Sequence, residues 1–79
     1  MDRKELEAKV LECVAFAYKK NLEDLSLETN FKEDLGGASV IMVGLVSQIE
    51  NELDVLVSLP EASACATIAD LVDKVEEEL

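Results

Sequence analysis

Apolar residues recur at three- and four-residue intervals in three separate segments of this 79-residue chain. Such spacing puts them on one face of a helix, so it predicts amphipathic helices over residues 4–20, 39–53 and 67–79. The expected core-facing residues are Leu6, Val10, Cys13, Val14 and Ala17 in the first helix, with Phe16 and Tyr18 widening its face; Val40, Val43, Val46, Ile49 and Leu53 in the second; and Ile68, Leu71, Val72, Val75 and Leu79 in the last. Because aromatic residues are few, we expect an aliphatic core.

The connections between these helices have no helical period. Residues 21–38 carry scattered apolar side chains, which we expect to pin a long loop across the helices, with Phe31 filling the core. Residues 55–59 resemble a strand, but no second strand candidate exists to pair with them, so we interpret them as an apolar loop. Pro60 suits the first turn of a short helix, and Thr67 with Asp70 forms a capping-box pattern. The sequence predicts one all-α domain over residues 1–79, a four-helix bundle (three long, one short) with a long first loop.

Charge limits the classes of partner. Eighteen acidic residues against seven basic ones give a net charge of -11. This surface repels nucleic-acid phosphates and anionic membranes and attracts proteins with basic patches, so we expect no nucleic-acid partner and no membrane association. No stretch approaches the ~20 apolar residues of a membrane span, and the N-terminus lacks the pattern of a secretory signal. We therefore expect a cytoplasmic monomer.

The residue types also exclude the usual catalytic arrangements. The chain has no histidine, and its two cysteines, Cys13 and Cys65, lie far apart in the sequence among apolar neighbours. We interpret both as small core residues, because a reducing compartment disfavours pairing them. No metal site and no nucleophile–base pair can be assembled from such a set. We therefore expect a protein that is not an enzyme.

A glycine-marked turn leads into one serine and then into the second helix. Residues 34–40 read Asp-Leu-Gly-Gly-Ala-Ser-Val. Adjacent glycines allow backbone angles closed to other residues and let another protein approach the main chain, so Ser39 is well presented. The spacing alone is equally that of a helix N-cap, in which the Ser39 hydroxyl accepts from the first free amides of the helix. From the pattern itself both roles stay open.

Residues 33–40 resemble the Asp-Leu-Gly-x-Asp-Ser-Leu signature of acyl carrier proteins, and Thr67-Ile68 resembles the start of the family's final helix. Size, acidity and helix order extend the resemblance over essentially the whole chain. It implies that Ser39 is the attachment point of 4'-phosphopantetheine, esterified by a phosphopantetheinyl transferase. The thiol of this arm would carry acyl groups as thioesters in a fatty-acid, polyketide or specialised lipid pathway.

The chain departs from the family pattern around Ser39. Ala38 stands where the family has aspartate, and Ile41 and Gly44 stand where it usually carries acidic residues. The resemblance implies docking of synthases and acyl-transferring enzymes beside Ser39, through basic or apolar patches of their own. The expected partner-binding residues are Asp34, Ile41, Met42, Leu45 and Glu50.

Two alternatives to this acyl carrier remain. The first is an unmodified helical interaction module of the same fold that uses Ile41, Met42 and Leu45 as its binding face. The second is a peptidyl or aminoacyl carrier, since the double glycine resembles that of peptidyl carrier domains. Intact mass after treatment with a phosphopantetheinyl transferase separates the interaction module from the carriers.

Overall fold

The computed structural model describes residues 2–36 and 39–79, and for Ser39 it describes the backbone alone. The described residues form α1 (Arg3–Tyr18), α2 (Ser39–Leu53), α3 (Leu59–Ser63) and α4 (Ile68–Glu78), with a 3-10 turn at Leu22–Asp24. Within these ranges the β-type pairing is an isolated bridge between Asn30 and Thr67. The predicted all-α fold, with three long helices and one short, is confirmed. No helix in the described ranges has the length and apolarity needed to cross a bilayer.

Local chemistry fixes the ends of two helices. α1 stops where Lys19 adopts a left-handed conformation (φ 55°) and the Lys20 amide donates to the Ala15 carbonyl at 3.0 Å, as at many helix C-termini. At the start of α4 the Thr67 hydroxyl accepts from the Asp70 amide at 3.3 Å, and the Asp70 carboxylate accepts from the Thr67 amide at 3.2 Å. The predicted capping box is therefore confirmed.

The long first loop is tied to the N-terminus of α4. The Ile68 and Ala69 amides, which have no partner inside their own helix, donate to the carbonyls of Thr29 and Leu27 at 3.1 and 2.9 Å. The Phe31 amide donates to the Ala66 carbonyl at 3.0 Å, and its ring is buried beside Tyr18. The prediction of a pinned loop with Phe31 in the core is confirmed.

Helix α1 packs against both α2 and α4, and the core lies among these three helices. The fully buried side chains are aliphatic except for Phe31 and include Leu6, Val10, Val14, Leu45, Ile49, Val57, Ile68, Leu71, Val72 and Val75. In the apolar loop, Val55 and Val57 are buried whereas Leu56 is exposed. Outside α2, two residues expected in the core are not part of it: the side chains of Phe16 and Leu79 are 69% and 56% exposed. Leu79 follows the last helical residue, so it lies beyond the packed part of α4.

The predicted core stripe of α2 is wrong in its first half. Val40 and Val43 are exposed, whereas Met42 and Leu45 are buried. From Val40 to Ile49 the predicted stripe advances by three residues at a time. Three residues cover about 300° of a helix, about 60° less than a full turn, so Ile49 lies about 180° around the helix from Val40. The side chains that pack inward are separated by one step of three residues and then two steps of four: Met42, Leu45, Ile49 and Leu53.

Candidate functional site

A closed hydrogen-bonded turn precedes α2. The Asn30 side-chain oxygen accepts from the amides of Lys32 and Glu33, both at 2.9 Å. In return the Asp34 carboxylate accepts from the Asn30 amide at 2.7 Å, and the Asp34 amide donates to the Asn30 carbonyl at 2.9 Å. The hydrogen bonds between Asn30 and Asp34 close this turn, and the buried side chain of Phe31 anchors it to the core. Asp34, expected to bind partners, is exposed and also has this structural role.

Gly36 ends the turn in a conformation that favours glycine. Its φ is +82°, and no heavy atom lies within 4 Å of the position that a Cβ would take. The residue is therefore required by the backbone angle rather than by lack of space. Gly37 and Ala38, including the position where the family has aspartate, lie outside the described residues.

Two glycines in different conformations give a matched stability test. Gly36→Ala is expected to lower the free energy of unfolding by about 1–2 kcal/mol, because its Cβ is strained at positive φ. Gly44 lies exposed in the interior of α2 with nothing near its Cβ position, so Gly44→Ala should raise stability by about 0.5–1 kcal/mol. Urea denaturation followed by circular dichroism measures both. Equal effects of the two substitutions would contradict the positive φ at Gly36.

The described part of α2 begins at Ser39. Ser39 itself has helical backbone conformation, whereas the N-cap interpretation places it before the helix. The first amides of a helix have no partner within it, and its dipole is positive at that end, so a phosphate on Ser39 would meet a favourable field. Gly36, three residues before Ser39, and Val40, directly after it, are both exposed.

The outward side of α2 next to Ser39 carries no charge. Val40 is 84% and Val43 is 48% exposed, and Gly44 and Ser47 are exposed beside them. We call these four residues the valine face. Residues 39–49 contain no charged side chain, although 32% of the chain is charged. This face is opposite the side that packs into the core, and the polar Ser47 was the sequence signal that could have identified it.

Two of the expected partner-binding residues are not accessible. Met42 is 5% and Leu45 is 0% exposed, so the prediction that they form a docking face is wrong. They are buried because they share the inward side of α2 with Ile49. Ile41 is half-buried against the core, whereas Glu50 is fully on the surface, one helical turn after the valine face.

Comparison with known proteins identifies the family. The family described as "Phosphopantetheine attachment site" matches residues 8–75, a range that includes Ser39 and all of α2. The chain belongs to the acyl carrier proteins. The acyl carrier protein of Rickettsia bellii (strain RML369-C) is 35% identical over 72 residues, which cover 91% of this chain and 84% of that protein. The acyl carrier proteins of Exiguobacterium sp. (strain AT1b) and Exiguobacterium sibiricum are 29% and 25% identical to this chain over 79 residues. Each match covers 100% of this chain and 100% of the relative.

Members of the acyl carrier family are not catalysts but bear 4'-phosphopantetheine for other enzymes. The described residues fit this group: α2 is described over 15 residues from Ser39 onward, and Gly36, three residues earlier, is exposed. Among residues 2–36 and 39–79, no group of three acidic or cysteine side chains is placed to hold a metal ion.

The thiols of the two cysteines are buried, which lowers their reactivity. Cys13 and Cys65 are free and buried, which confirms that they are core residues. Burial raises the pKa of the Cys13 thiol to about 11, with a further contribution from the charges of Glu52 and Glu12. Burial also raises the pKa of Cys65. Since the thiolate is the nucleophilic form, both cysteines are poor acyl acceptors at neutral pH.

Proposed function

We propose that the protein carries acyl groups as thioesters on a 4'-phosphopantetheine arm attached to Ser39 by a phosphopantetheinyl transferase. The main support is that the described part of α2 begins at Ser39, three residues after the exposed Gly36. A serine there is within reach of a modifying enzyme, and the helix N-terminus favours the phosphate of the product. The buried state of Cys13 and Cys65 supports the same proposal, because the thiol of the arm then has no competitor.

Intact mass tests this proposal. Incubation with coenzyme A, Mg²⁺ and a broad-specificity phosphopantetheinyl transferase should add the mass of one phosphopantetheine. Peptide mapping should place that mass on the fragment that contains Ser39. A protein that gains no mass would contradict the proposal and favour the unmodified interaction module.

For docking we propose that synthases and acyl-transferring enzymes contact the valine face, with Asp34, Ile41 and Glu50 at its margins. Val40 and Val43 supply an apolar centre beside Ser39, and Asp34 and Glu50 supply exposed negative charge. Such a surface suits a partner with an apolar patch bordered by basic residues, since apolar contacts at the centre fix affinity and charged contacts at the rim set the encounter rate.

The absence of charge on residues 39–49 also supports a narrow set of partners. We propose that the acyl groups belong to a specialised lipid pathway, and that the enzymes of ordinary fatty-acid synthesis use this carrier poorly. The net charge of -11 makes copies of the chain repel one another. This charge supports a monomer that works in the cytoplasm.

A change at Gly44 tests the charge dependence of docking. Gly44 is exposed with open space around its Cβ position, so a longer side chain fits there without displacing the core. Gly44→Glu on the phosphopantetheinylated protein should increase kcat/KM of a general malonyl transferase several-fold, since one exposed charge contact is worth about 1 kcal/mol or less. Gly44→Gln has nearly the same size without the charge and should leave kcat/KM unchanged. An equal gain in both variants, or none in either, would contradict a missing acidic contact.

A further inference from the structure

An open groove of about 390 Å³ runs along the first loop at the C-terminal end of α1. This volume lies within the range of about 300–1,000 Å³ that is usual for small-molecule sites. The groove is lined by Lys20, Asp24, Leu25, Thr29, Asp34 and Leu35. Its walls therefore combine two apolar side chains with a cation, two carboxylates and a hydroxyl.

The groove lies beside the hydrogen-bonded turn that Gly36 ends. Leu35, one of its walls, is bonded directly to Gly36, and Ser39 follows four residues after Leu35. Because consecutive Cα atoms are 3.8 Å apart, the Cα atoms of Leu35 and Ser39 are separated by at most about 15 Å. A long, flexible group on Ser39 therefore starts within about 15 Å of the Leu35 Cα atom.

We propose that this groove holds the pantetheine part of the arm, an inference that rests on the proposed attachment to Ser39. Pantetheine has two amides, a hydroxyl and a pair of methyl groups on one carbon. The half-buried Leu25 and Leu35 offer an apolar surface to the methyl groups. When the groove is occupied, the arm lies back along the first loop.

The polar walls match the amides of the arm. Lys20 forms no ion pair with another described residue, so its ammonium group is available to donate to an amide carbonyl. Thr29 is 9% exposed, and its hydroxyl accepts from the Ser26 amide at 2.9 Å, which leaves the hydroxyl hydrogen free to donate. The Asp24 carboxylate accepts from an amide N–H or from the hydroxyl of the arm.

Because the arm is attached to the protein, even a groove with weak affinity for it is occupied. A ligand held by a short flexible linker has an effective concentration in the millimolar range. A groove with only millimolar affinity for free pantetheine is therefore occupied about half of the time once the arm is attached. We expect the arm to exchange between the groove and solvent, and an enzyme that uses it captures the free form.

NMR on isotope-labelled protein tests the proposal. Conversion from the unmodified to the phosphopantetheinylated protein should shift the signals of Leu25 and Thr29 and give contacts between the arm methyl groups and the Leu25 and Leu35 methyl groups. Lys20→Gln should reduce the shifts at Leu25 and Thr29 by about half or more. Lys19→Gln removes the same charge from the neighbouring residue, which does not line the groove, and should leave these shifts unchanged.

The outcomes separate this inference from the attachment itself. A modified protein whose Leu25 and Thr29 signals stay unchanged, or whose arm contacts Val43 instead, would overturn the groove and leave the attachment intact. Equal losses in the Lys20 and Lys19 variants would also overturn it. If no arm is gained at all, the attachment to Ser39 fails, and the groove is tested with free pantetheine at millimolar concentration. Shifts at Leu25 and Thr29 would then support it, and their absence would overturn it.

Discussion

Ser39→Ala is expected to abolish the gain of phosphopantetheine completely. The phosphate of the arm is bonded to the serine oxygen, and alanine has no oxygen to replace it. The native protein should gain one arm in the presence of coenzyme A, Mg²⁺ and a broad-specificity transferase, and the variant should gain none. The difference is all-or-none and is read directly from the intact mass.

The control for this experiment is an exposed serine outside the valine face. Ser63 is exposed at the end of α3. Ser63→Ala should be modified as completely as the native protein, and circular dichroism should show equal helix content in both variants. Modification that persists in Ser39→Ala would exclude Ser39 as the attachment point.

Two valine-to-alanine substitutions should differ strongly in their effect on stability. Val72 is 0% exposed in α4, whereas Val43 is 48% exposed on α2. Val72→Ala removes buried methyl groups and leaves a cavity, so we expect it to lower the free energy of unfolding by about 2 kcal/mol or more. Val43→Ala should cost less than about 1 kcal/mol. Both changes remove the same atoms, so the difference between them measures burial.

Leu45→Ala applies the same test to the side of α2 that packs into the core. Leu45 is completely buried, and the substitution should cost about 2–5 kcal/mol, a large part of the 5–15 kcal/mol typical of a folded domain. Urea denaturation followed by circular dichroism gives all three values. If Val43→Ala is as destabilising as Leu45→Ala, the valine face is part of the core and is not available to partners.

The sequence indicates Ser39 through local features, but its prediction of the surface around Ser39 is partly wrong. Ser39 is the candidate because of the turn before it and the resemblance to the family signature, both of which are local. Of the five expected partner-binding residues, Asp34 and Glu50 are exposed, Ile41 is half-buried, and Met42 and Leu45 are buried. The error arose because residues 40–46 are all apolar or glycine, so either side of the helix could have been the inner one.

The features that the sequence determined by itself are local. Helix periodicity, the capping box of Thr67 and Asp70, and the charge of -11 depend on residues within a turn or two, or on composition alone. The side of α2 that faces outward depends instead on where α1 and α3 pack against it. The groove beside Leu35 likewise exists because the amides of Ile68 and Ala69 hold the first loop, from about forty residues away. Only the tertiary structure decided these features, because burial is a property of neighbours that lie far apart in the chain.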